Sequence, residues 1–199
     1  LILNDEDGKE FKETGTDFSS GYTYLGVIAV DKKDIKKARE MLELAFKWNP
    51  YNSEAIFEYN ETFKMEGKLE EYKDKTIEFF SKLYDPHELA RFYRNLGYYY
   101  IEREEWELAK AIYIYSMRFD NNDKAKNELI YIMQKSNSQE LPNPEKVKPM
   151  LEKYYIPTKI SERNLKIIEE MLKVIIRDKQ QDSGLGNYLK GIGDFYKSL

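Results

Sequence analysis

The sequence predicts an all-α protein, on three observations. The chain of 199 residues has only 10 Gly and 6 Pro, too few for the frequent turns of a strand-rich fold. Charged residues make up 34% and apolar residues 41%, which is typical of a soluble, folded chain. Apolar residues recur with helical spacing, and the 17 Tyr and 10 Phe supply the large side chains that fill the space between packed helices.

Two segments of the chain superimpose position by position. The first carries in order Tyr22, Leu25, Gly26, Ala38, Leu42, Ala45 and Pro50, and the second carries at the same spacing Tyr93, Leu96, Gly97, Ala109, Tyr113, Ser116 and Asn121. The small Gly and Ala positions predict a close approach of two helices, and the larger positions fill the gaps beside it. These spacings are those of the tetratricopeptide (TPR) signature, W-x2-L-G-x2-Y, then A-x3-F, then P. The chain therefore resembles the TPR family.

The resemblance implies a right-handed α-solenoid of about three TPR helix pairs followed by C-terminal capping helices. We expect an acidic linker or frayed N-terminal segment over 1–18, TPR-like repeats over 19–52, 53–89 and 90–122, and a degenerate fourth repeat with capping helices over 123–199. The middle repeat is the longest, because Gly97 follows Gly26 by two repeat lengths plus three residues. The phrases FKWNPYN and LARFYRNLGYYYIE are also similar to small bacterial TPR proteins of unassigned function.

Local signals predict where the later helices begin. In the middle repeat, Gly67 marks the turn between two helices, and Asn60 stands where the other two repeats have glycine. Asp85, Pro86 and Glu88 form a helix-start signal with a capping box. A helix is expected over 122–135, a short one after Asn143, a long one from Ser161 and a last one over 185–196.

The residue types argue against catalysis and against bound cofactors or metals. The chain has no Cys and one His, so an ordinary zinc site or a thiol nucleophile is excluded. The glycines near the C-terminus (GLGNYLKGIG) fit neither nucleotide-binding template. A pI of about 5.4 is unlike that of a nucleic-acid-binding domain, and no uncharged run reaches the roughly 20 residues of a membrane span. We therefore expect a non-enzymatic, cytoplasmic protein.

The resemblance also implies a ligand site, because the first helices of successive TPR repeats line a concave groove. The implied groove residues are Tyr24, Phe57, Glu58, Glu61, Arg91, Arg94, Asn95, Tyr98 and Glu128, with Ser20, Thr23, Val27, Glu54 and Ile132 beside them. Arg91 and Arg94 are one helical turn apart and could hold a carboxylate or phosphate. Alternatively, they pair internally with Glu58 and Glu61.

The expected function is a protein–protein interaction module that binds a peptide or helix of an unidentified partner. Two alternatives stay open at this point. One is a regulatory sensor of a small signalling peptide, and the other is a structural homo-oligomer that packs exposed aromatic residues against a second copy. The sequence does not choose between oligomeric states.

Overall fold

The fold is helical throughout the part of the chain that the computed structural model describes, which is residues 16–159 together with Glu162 and Lys166. Residues 16–159 form eight α-helices and no strand. The helices are α1 (Phe18–Asp31), α2 (Ile35–Trp48), α3 (Ser53–Met65), α4 (Leu69–Phe79), α5 (Pro86–Glu102), α6 (Trp106–Ser116), α7 (Asp123–Ser136) and α8 (Pro144–Lys153), with a 3-10 helix (Phe80–Lys82) after α4. The predicted all-α class is confirmed for these residues. The helices predicted from Ser161 onward lie outside them.

The described residues form two compact units, and the boundary between Tyr59 and Asn60 falls inside α3. In the first unit, α1 and α2 pack against each other as a helical hairpin. The ring of Phe18, at the start of α1, stacks on that of Trp48, at the end of α2, with 4.6 Å between centroids. In the second unit, α5 and α6 form a hairpin, α4 packs on α5, and both α7 and α8 pack on α6.

A polar network fixes the start of α3 in the first unit. The Asn52 side-chain amide donates to Ser19 Oγ at 2.9 Å and to Thr23 Oγ1 at 3.1 Å, and its oxygen accepts from the Ala55 N–H at 3.1 Å. Ser19 Oγ donates in turn to the carbonyl of Ala45 at 3.0 Å. Thr23 is 1% exposed as a result, so its expected place beside an open groove is wrong.

Aromatic side chains form the centre of the second unit. The Tyr93 ring packs against Phe92, Tyr115 and Phe119, with centroids 4.9–5.3 Å apart. The Tyr93 hydroxyl donates to the carbonyl of Pro157 at 2.8 Å, which ties the segment after α8 to α5. Burial raises the pKa of Tyr93 well above its ordinary value, because the ionised phenol would lose its hydration there.

Three helix pairs each have a contact between residues that are 16 positions apart in sequence. Two of these contacts involve a glycine, and the third is a hydrogen bond. A Cβ added at Gly26 would lie 2.6 Å from Leu42, and one added at Gly97 would lie 2.5 Å from the ring of Tyr113. Both glycines therefore allow an approach that no larger residue permits. In the middle pair, the Asn60 amide donates to Thr76 Oγ1 at 3.1 Å instead.

Side chains cap the first turn of several of the described helices. At α5, Asp85 Oδ1 accepts from the His87 N–H at 2.8 Å, and the Asp85 N–H donates to Glu88 Oε2 at 3.3 Å. This is the predicted capping box. Side chains of Asp17, Asp34, Asn52, Asn122 and Asn143 also cap helices in the described part of the chain. Each satisfies a backbone donor that the first helical turn leaves without a partner.

A buried cation ties the α7–α8 connection to α6. Lys110 is completely buried, and its Nζ donates to Glu107 Oε1 at 2.9 Å, to Ser138 O at 3.3 Å and to Glu140 O at 3.0 Å. Three acceptors match the three donors of an ammonium group, so its burial leaves none without a partner.

Candidate functional site

An open cleft lies between α5 and α7 in the second unit. Its lining consists of Tyr98, Ile101 and Glu102 from α5 and of Asn127, Glu128 and Tyr131 from α7. Residues three or four positions apart share one face of a helix, so each helix presents one wall of the cleft. The cleft has a volume of about 350 Å³. Ligand pockets range from roughly 300 to 1,000 Å³, so this one has room for a side chain or two.

Helix α6 supports both walls, because α5 and α7 each pack against it. On α5, Gly97 lets the buried ring of Tyr113 approach the helix closely. On α7, Leu129 and Ile132 are buried, although Ile132 was expected beside the groove. Ile101, 7% exposed, is the apolar member of the lining. The wall positions therefore depend on core packing rather than on a loop.

The Tyr98 side chain is held in place by its neighbours. The Tyr72 ring meets it edge-on with 6.0 Å between centroids, and Lys64 Nζ lies 4.3 Å from the ring centre. Burial, the negative charges of Glu102 and Glu61, and a hydrogen bond to Glu102 raise the pKa of Tyr98 above its ordinary value. The Tyr98 phenol is therefore neutral near pH 7.

The cleft lining is negatively charged. It contains the carboxylates Glu102 and Glu128 and no cation. Within residues 16–159, neither carboxylate belongs to an ion pair. Burial and the charge of Glu128 raise the pKa of the neighbouring Tyr113 above its ordinary value.

Arg94 lies on α5 with an internal partner. Its Nη1 is 3.7 Å from Asp120 Oδ2, and that carboxylate oxygen is also 3.3 Å from His87 Nδ1. The Nη1 atom is buried and donates no hydrogen bond within the described structure. Burial lowers the pKa of Arg94, while Asp120 opposes the shift. The ion-pair partner of Arg94 is thus Asp120, which follows α6, whereas the internal pairing considered from the sequence was with Glu58 and Glu61.

The remaining groove predictions have mixed outcomes. Phe57 is 4% exposed, so its expected place on an open groove is wrong: it is packed as a core residue. Tyr24 on α1 is 67% exposed, and Glu61 forms its ion pair with Lys64 at 3.1 Å. The other predicted positions, Glu58, Arg91 and Asn95, are half-buried, and none of them lines the cleft. Only Tyr98 and Glu128 of the predicted set lie together in it.

Four lining residues were not predicted: Ile101, Glu102, Asn127 and Tyr131. A signal for three of them is present in the sequence. Ile101 and Glu102 follow Tyr98 by three and four positions, and Tyr131 follows Glu128 by three. Extending each predicted groove face by one helical turn would have included them.

No family model matches the chain, and no curated protein matches it significantly. None of the helices in residues 16–159 has the length and apolarity to cross a membrane. In the same residues, no group of three or more His, Asp or Glu side chains converges as metal ligands would.

Proposed function

We propose that the chain is a TPR-type interaction module without enzymatic activity, which binds a peptide or a helix of a partner protein. The observation that supports this best is the cleft between α5 and α7. The resemblance places the ligand groove on the first helices of successive repeats, and α5 and α7 are the first helices of repeats three and four. Tyr98 and Glu128, two of the predicted groove residues, line the cleft from opposite walls.

The recurring helix-pair contact supports the repeat part of the proposal. Gly26 with Leu42, Asn60 with Thr76, and Gly97 with Tyr113 are three contacts of equal sequence separation. They occupy corresponding positions in consecutive predicted repeats, as stacked units of one supersecondary type require.

The proposal is tested by affinity capture with two neighbouring variants on α7. Tyr131→Ala removes a cleft residue that is 42% exposed, whereas Ile130→Ala removes an adjacent residue that is 49% exposed and does not line the cleft. Both changes lie on the surface, so each should alter the free energy of unfolding by only about 0.5 kcal/mol. We expect a protein that wild type and Ile130→Ala retain and Tyr131→Ala loses, and calorimetry with the purified pair should reproduce the difference.

Equal retention of the same proteins by all three forms would contradict the cleft assignment. Light scattering on the purified chain addresses the homo-oligomer alternative separately. A monomer that still binds its partner supports the interaction module. A stable dimer that Tyr131→Ala dissociates would instead make a second copy the occupant of the cleft.

A further inference from the structure

We propose that the cleft between α5 and α7 receives a cationic side chain, arginine or lysine, from the partner segment. This inference rests on the proposed function and adds to it the chemistry of the ligand. It also assigns to the cleft the opposite ligand charge from the carboxylate or phosphate first considered for Arg91 and Arg94.

Two carboxylates give the cleft its charge. Glu102 and Glu128 stand on opposite walls of a cleft of about 350 Å³, and no cation is among the lining residues. Neither has an ion pair in residues 16–159, although many other acids of this chain pair with a lysine within one helical turn, as Glu61 does with Lys64. A cation entering the cleft meets both carboxylates, while an anion there would be repelled by both.

Two aromatic residues also line the cleft. Tyr98 and Tyr131 face the cleft from opposite walls, and each ring already accepts a lysine of this chain from outside the lining: Lys64 Nζ lies 4.3 Å from the Tyr98 centre, and Lys135 Nζ lies 5.7 Å from the Tyr131 centre. Both aromatic rings of the cleft therefore already make cation–π contacts with lysines of this chain. Ile101 adds an apolar surface for the methylene stem that arginine and lysine share.

The remaining polar group in the lining suits the same ligand. Asn127 offers an amide oxygen that can accept from a guanidinium or ammonium group. Glu102 and Glu128 each offer carboxylate oxygens that can accept from such a group. Nearly every polar atom that lines the cleft is thus an acceptor or can act as one.

The test is an NMR titration of the full chain with two small probes of nearly the same shape. N-acetyl-arginine N-methylamide carries the charge, and N-acetyl-citrulline N-methylamide is its neutral counterpart. We expect the arginine probe to shift the amide resonances of residues 98–102 and 127–131 and to bind about tenfold more tightly than the citrulline probe, as a charge-assisted hydrogen bond predicts. The double variant Glu102→Gln/Glu128→Gln should bind both probes equally.

A matched control removes the same net charge elsewhere. Glu71→Gln/Glu140→Gln changes two exposed carboxylates of the same unit that do not line the cleft, and it should retain the preference for arginine. Equal affinity of wild type for the two probes, or an arginine preference that survives Glu102→Gln/Glu128→Gln, would overturn the inference. Unchanged thermal unfolding of the variant would show that its folding is intact.

The inference and the proposed function fail in different ways. If the partner still requires Tyr131 but the arginine probe has no advantage, the interaction module stands and the cationic ligand is wrong. If the arginine probe binds in the cleft but no partner depends on Tyr131, the cleft is a cation site and the proposed function is wrong.

Discussion

Replacement of Gly97 by alanine tests the close contact between α5 and α6. The added Cβ would lie 2.5, 2.8 and 2.9 Å from three ring atoms of Tyr113, whereas carbon atoms in contact normally lie about 3.5–4.0 Å apart. Tyr113 is 3% exposed, so its ring has no free space into which it can move. Such overpacking costs about 1–3 kcal/mol. Alanine regains about 1 kcal/mol of helix propensity, and we expect a net loss of up to about 2 kcal/mol.

Two comparisons separate the clash from the propensity. Gly21→Ala makes the same chemical change in α1 where nothing lies within 4 Å of the added atom, so it should stabilise by up to about 1 kcal/mol. In a Tyr113→Ala background the ring is absent, and Gly97→Ala should become stabilising by a similar amount. Urea unfolding followed by circular dichroism gives these free energies of unfolding. Equal destabilisation by Gly97→Ala in both backgrounds would refute the contact as the cause.

Three further predictions concern buried polar groups. Thr76→Val removes the acceptor of the Asn60 amide, which should cost about 1–3 kcal/mol of unfolding free energy, and Asn60→Ala in the same chain should recover part of it. Lys110→Met leaves two loop carbonyls without their donor and should cost about 2 kcal/mol, with faster proteolysis over 137–143; an unchanged urea midpoint would contradict this. Burial raises the pKa of Tyr100 to about 12, while the unfolded chain ionises near 10. The contribution of Tyr100 to the free energy of unfolding is therefore fully present below pH 10 and is lost as the pH rises toward 12. Loss of helix should accompany the rise of tyrosinate absorbance. Tyrosinate that forms well before helix is lost would contradict this prediction.

The sequence predicted most of what depends on neighbouring residues. The Asp85 capping box forms as expected, because its donors and acceptors lie within three positions of one another. Gly67 adopts φ +70 at the turn between α3 and α4, a conformation that glycine reaches without steric cost. A close helix approach at Gly26 and Gly97 was also expected, although the residues that face these glycines are Leu42 and Tyr113 rather than the small alanines.

Features that depend on distant parts of the chain were not predicted. In the sequence, Lys110 is indistinguishable from the other charged residues of a helix. Its burial depends on carbonyl groups that lie 28 and 30 positions away in the chain. Phe57 was assigned to the groove by repeat position, but in the structure it is buried as an apolar side chain. Arg94 was expected to contact a ligand or Glu58 and Glu61, whereas in the structure it contacts Asp120, which lies after α6. The predicted repeat register indicated that Tyr98 and Glu128 belong to the ligand site. The extent of the cleft walls depends instead on the spacing between α5 and α7, which the sequence does not give.

The variation among the three recurring helix contacts has a consequence for how the chain assembles. Helices of similar repeats can pair with the wrong partner while the chain folds, and such misassembly is a characteristic failure of repeat proteins. Here the hydrogen-bonded contact between α3 and α4 differs in kind from the two contacts at glycine. An Asn60 side chain placed opposite Leu42 or Tyr113 would bury its amide without an acceptor, and Tyr113 placed opposite Asn60 would meet a side chain where it needs a glycine. The polar contact thus distinguishes α3 from α1 and α5 as the partner of α4, and it disfavours pairing of α3 with α2 or α6.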